Sequence, residues 1–151
     1  MSLKTQIDAD IKAAMLARDQ TRLLALRDIK KLILIEETKP GAAASLSAEE
    51  EIKIVQKAVK QRKDSVEIYR TQNRPDLLDK ELAEIAVIEV YLPAQMSLAD
   101  IETAVAKVIA DLGATGPADM GKVMGAANKA LAGQAEGKVI SEVVKSLLAK
   151  L

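Results

Sequence analysis

Glu89-Val90-Tyr91-Leu92-Pro93 is the stretch that divides this chain. A proline pushes the residue before it out of the helical region, so Leu92 ends whatever helix precedes it. Upstream, Leu78, Leu82, Ile85 and Ile88 or Glu89 recur at helical spacing. They form the stripe of a helix opened by Pro75 at N1, with Asp76 at its positive end. Downstream, Ser97-Leu98-Ala99-Asp100 is a cap sequence for a new helix. Ile101, Val105, Val108, Ile109 and Leu112 lie on one face of that helix, and Gly113 fits its C′ position. Pro93 therefore reads as the boundary between two helical units, 1–92 and 93–151.

Further toward the N-terminus, Ile7, Ile11, Ala14 and Met15 predict a helix over Leu3–Ala17. Arg18-Asp19-Gln20 is a polar break with Asp19 as N-cap of a second helix running to about Thr38. Leu23, Leu26, Ile29 or Lys30, and Ile33 are its main stripe. Leu32-Ile33-Leu34-Ile35 widens that stripe into an end expected to be buried from several sides. Pro40-Gly41 and Ala42-Ala43-Ala44-Ser45 make a loop. Ser47-Ala48-Glu49-Glu50 is a capping box for a long third helix, about 48–72. Its apolar positions are Ile52, Val55, Val59, Val66 and Tyr69, interrupted by Arg62. Beyond Gly113, a helix starts near Gly116-Pro117 and ends near Gly133, and Ile140, Val143, Val144, Leu147 and Leu148 mark a final one after Gly137. The fold class is all-α, a four-helix N-terminal unit followed by a three-helix C-terminal bundle.

Composition supports helix-on-helix packing. Apolar residues make up 49% of the 151, yet Tyr69 and Tyr91 are the sole aromatics, so aliphatic side chains must fill the interior. Cysteine and histidine are absent. That excludes disulfides, Cys or His nucleophile–base pairs and the usual zinc sites. Neither a metal nor a cofactor is expected, and no catalytic residue is assigned. Acids at Asp8 and Asp10 and the lack of an apolar run argue against a signal peptide. The longest uncharged run, Val90–Ala99, contains Pro93 and is too short for a membrane span. The expectation is a cytoplasmic protein with no membrane partner. Lys plus Arg equal Asp plus Glu at 22 each, and 16 against 16 and 6 against 6 on either side of Pro93. A nucleic-acid role would thus need a local basic patch.

Asp119-Met120-Gly121-Lys122-Val123-Met124-Gly125 places two glycines four residues apart in a helical pattern. Each costs roughly 0.5–1 kcal/mol relative to alanine inside a helix. Met120, Val123, Met124, Ala127 and Leu131 form the apolar face, with Gly121, Gly125, Asn128 and Ala132 as a stripe of small residues beside it. One reading is close approach of a neighbouring helix, with Lys122 and Asp119 an ordinary i,i+3 pair. The other is exposed backbone open to a sugar-phosphate chain, with Lys122 and Lys129 supplying charge. With no Arg after Arg74 and no aromatic after Tyr91, such a contact would read backbone shape rather than bases. Lys60, Arg62 and Lys63, within Lys60-Gln61-Arg62-Lys63, form a secondary basic patch on a helix otherwise laced with acids. Ser141 and Lys145 share a helix face without any oxyanion-hole or glycine-rich elbow motif.

Glu89-Val90-Tyr91-Leu92-Pro93, Met96-Ser97 and Ala118-Asp119-Met120-Gly121-Lys122-Val123-Met124-Gly125 together resemble the YqeY-like family. Lys60-Gln61-Arg62-Lys63-Asp64-Ser65 and the Ser2–Arg18 segment extend the likeness over essentially the whole chain. That family shares its tail, the GatB/YqeY domain, with the B subunit of the tRNA-dependent amidotransferase. The resemblance implies a non-catalytic accessory protein that binds RNA, with tRNA as partner. It assigns Gly121, Lys122, Gly125, Lys129 and Lys138 as contact candidates. The alternative it leaves is a protein-interaction module whose C-terminal bundle docks a protein partner through its Met-rich helix. A carbon–nitrogen ligase role would require a larger complex, since the chain lacks the amidotransferase's catalytic parts. Family members usually carry several basic residues between the second glycine and the later Ala-Asp/Glu-Gly, whereas here Lys129 stands alone before Ala135-Glu136-Gly137.

Overall fold

A computed structural model describes residues 2–42 and 45–151. Among them are seven α-helices and no strand: α1 Leu3–Ala17, α2 Gln20–Glu37, α3 Ala48–Thr71, α4 Pro75–Glu89, α5 Leu98–Leu112, α6 Met120–Ala130 and α7 Gly137–Ala149. A 3-10 turn, Pro117–Asp119, leads into α6. The chain is all-helical. Ala43 and Ala44 of the expected loop lie outside the described residues.

Backbone contacts divide the chain after Leu92. The first unit holds α1 to α4 around a core that includes Ile7, Leu26, Ile29, Ile33, Val55, Val66 and Ile88. Its helix starts follow local chemistry. The Asp19 carboxylate accepts from Arg22 N–H at 3.0 Å. The Ser47 hydroxyl accepts from Glu50 N–H at 3.2 Å while the Glu50 carboxylate accepts from Ser47 N–H at 2.7 Å, which completes the capping box. Those bonds hold the Glu50 carboxyl below its ordinary value. Pro75 opens α4, and the Asp76 carboxylate takes a two-pronged bond from Arg74. The apolar end of α2 is less enclosed than expected. Ile33 is buried, but Leu34 and Ile35 are 40% and 45% exposed because successive helical residues cannot all face one core.

Two polar ties cross the first unit. Arg62 lies at a core-facing position of α3, with its side chain only 12% exposed. Its guanidinium donates to Asp28 on α2 at 2.8 Å and to the Ala58 carbonyl at 3.3 Å. Its Nε lies 3.6 Å from the buried Glu84 carboxylate on α4 and has no hydrogen-bond partner. At the end of α4, the Tyr91 hydroxyl donates to Asp10 on α1, and Asp10 also faces Arg22 on α2 at 3.6 Å. Burial, then the Asp10 carboxylate, pushes the Tyr91 phenol well above its usual value.

The second unit holds α5, α6 and α7 around Val105, Val123, Ala127, Ile140, Val144 and Leu148. Ser97 caps α5 through Asp100 N–H, and Gly113 ends it at φ 64°. That left-handed conformation favours glycine. α6 stops at Ala130, short of Gly133. Met96 N–H donates to the Gln134 carbonyl at 2.9 Å and the Gln95 amide to the Gly133 carbonyl at 2.7 Å. Those bonds, with Gly133 at φ 78° and Leu131 buried, turn the chain away from the helix axis.

Candidate functional site: the open face of α6

Val123 and Ala127 are buried, Leu131 just past the helix is also enclosed, and Met120 and Met124 pack partly against the same core. This orients α6 in a fixed way. Gly121, Lys122, Gly125, Asn128 and Lys129 consequently lie on the opposite, exposed side. The glycines are about 6 Å apart along the axis, one helical turn at 1.5 Å per residue. A Cβ built on either would meet nothing within 4 Å. The small stripe therefore is not a packing device for a neighbouring helix within this unit, which corrects the first reading of the pattern. Met120 and Met124 are only partly buried against that core, the remainder of each side chain lying at the surface.

The expected Asp119–Lys122 pair does not form. The Asp119 carboxylate instead accepts from Thr115 N–H at 2.9 Å, closing the turn that precedes α6. Lys122 and Lys129 have no side-chain hydrogen bond or ion pair among the described residues. They stand two turns apart along the same edge of the glycine face. Lys138 is exposed too, but it lies on α7, in the first turn. The positive end of a helix is unfavourable for a cation, so α7 gives no local reason for a lysine there.

The secondary patch is altered more. Arg62 turns inward to Asp28 and Glu84, which removes it from any surface cluster. Lys63 lies 3.8 Å from Glu89, and Lys60 remains exposed. Sequence reasoning missed this inward arginine and the buried Glu84, although the interruption of the α3 apolar stripe at Arg62 was the signal. Among the described residues, no group of three or more acidic, histidine or cysteine side chains is placed to hold a metal ion, and no helix is long and apolar enough to cross a membrane.

These features define a small all-helical protein whose second unit presents a glycine-lined, lysine-edged face. The model of the family described as Yqey-like protein matches residues 4–148, and the chain belongs to that family. It is 35% identical over 110 residues to a Vanderwaltozyma polyspora protein named altered inheritance of mitochondria protein 41, mitochondrial, covering 68% of this chain and 56% of the relative. The protein of the same name from Lachancea thermotolerans is 32% identical over 111 residues, covering 72% and 58%. That from Saccharomyces cerevisiae is 32% identical over 108 residues, covering 68% and 56%. The chain thus spans little more than half the length of these curated relatives. Their names correct the cytoplasmic expectation, because each is called mitochondrial. Composition separates secreted and membrane-spanning chains from the rest, but it does not separate cytosol from the mitochondrial interior.

Proposed function

We propose that this chain is a non-catalytic accessory protein that binds RNA, with tRNA as partner, through the exposed side of α6. One observation carries the reading. Gly121 and Gly125 weaken an exposed helix while leaving open space where their side chains would be. Helical backbone bared in this way admits a sugar-phosphate chain closer than any side chain would, and Lys122 and Lys129 flank it with uncommitted charge. The 4+3 grouping of helices belongs to this reading, with the three-helix part as the RNA-facing module. Lys138 is a peripheral contact. The neutral charge balance sets a weak, salt-sensitive affinity, since few phosphates are neutralised.

Titrating bulk tRNA binding against salt tests the proposal. Affinity should fall linearly on logarithmic axes, and Lys122→Ala should reduce the slope by about one. Absence of measurable binding at low salt removes the RNA reading. Glutamine-dependent ammonia release by the purified chain would show catalysis and overturn the non-catalytic part.

A further inference from the structure

A second surface feature lies in the first unit. Glu36 near the end of α2, Lys39, Pro40, Gly41 and Ala42 after it, Leu46 and the first half of α3 line an open cleft of about 380 Å³, within the usual range for small-molecule sites. Pro40, Leu46 and Ile54 contribute its apolar wall. Leu46 and Ile54 belong to the unit's core packing, so that wall is firmly held. Lys39 reaches it from just past α2 and Lys53 and Lys57 from α3, together with Glu36 and Glu50.

The charges do not cancel evenly. Glu36 is paired with Lys39 at 2.6 Å. Glu50 is engaged by the backbone and hydroxyl of Ser47, with the Lys53 charge a weaker influence on it. Lys53 and Lys57 make no ion pair among the described residues. They lie at i,i+4 on the same face of α3, where like charges repel and weaken a helix by about 0.2–0.5 kcal/mol. An anion placed between them would relieve that repulsion, and a short hydrocarbon chain would cover Leu46 and Ile54.

We propose that this cleft binds a small carboxylate carrying an apolar chain, its head group between Lys53 and Lys57 and its tail against Pro40, Leu46 and Ile54. The test uses the full-length chain and octanoate, followed through backbone amide NMR shifts. Octanoate should produce saturable shifts centred on residues 36–57. Octanol and acetate, each lacking half of the chemistry, should bind at least tenfold more weakly. Lys53→Gln/Lys57→Gln should weaken octanoate at least tenfold while leaving the thermal midpoint no lower than the parent's, because the repulsion is relieved, and the tRNA salt titration unchanged. Shifts that do not saturate at millimolar octanoate, equal binding of octanol, or full affinity in the double variant would each overturn the proposal.

Discussion

Arg62 carries a charge that suits a surface patch yet occupies an enclosed position. As a member of a basic patch it would need water; in the structure it links α2, α3 and α4. Removing one partner of an enclosed ion pair strands the other, which costs more than the pair is worth. Arg62→Ala should lower unfolding free energy by about 3 kcal/mol in urea titrations, the order observed for breaking such pairs. Arg62→Met combined with Glu84→Leu should recover most of that loss. The neighbouring Glu81 carboxyl is pushed above its ordinary value of 4.5, first by burial and then by Glu84, with Asp28 adding to the rise and Arg62 and Lys80 opposing it. A raised acid binds its proton more tightly in the folded state, so its contribution is complete below 4.5 and fades as pH rises through the higher folded value. Glu81→Gln should therefore gain stability over the parent between pH 4 and 7 in thermal melts. A difference that stays constant across that range would contradict the assignment.

At the scale of the element, the most readable features were those made within one turn. Ser47 with Glu50, Ser97 with Asp100, Asp19 with Arg22 N–H and Gly113 at the end of α5 each depend on residues three or four apart. The sequence carries such contacts directly. Ser47→Ala should cost about 1 kcal/mol of stability by chemical denaturation. The end of α6 was less readable, because Asn128 to Ala132 carries no stop signal and the halt comes from Gln95 and Met96, nearly forty residues earlier in the chain. Periodicity likewise showed Arg62 only as an interruption of the α3 apolar stripe, without revealing that it turns inward to Asp28 and Glu84. For the candidate site, the glycine stripe was legible from its spacing. Its open side was not, since packing and exposed backbone give the same pattern of small residues. Gly125→Ala should raise stability by about 0.5–1 kcal/mol, because the position is helical, exposed and unobstructed.

Across the whole molecule, the two units have separate apolar clusters, one drawn from α1 to α4 and the other from α5 to α7. A fragment of residues 93–151 should accordingly show a cooperative helical melt by circular dichroism, though a small core gives it modest stability. A non-cooperative, largely unfolded fragment would mean that its core is not self-sufficient. The family relationship extends over both units, from residue 4 to residue 148. The central claim concerns one side of one helix, and the sharpest test separates its stability from its use. Gly125→Gln supplies a better helix former at an exposed position while placing a side chain where backbone would meet RNA. Measured together, the full-length variant should melt higher than the parent and bind bulk tRNA at least tenfold more weakly at low salt. A variant that melts higher yet binds tRNA as tightly as the parent would contradict the account.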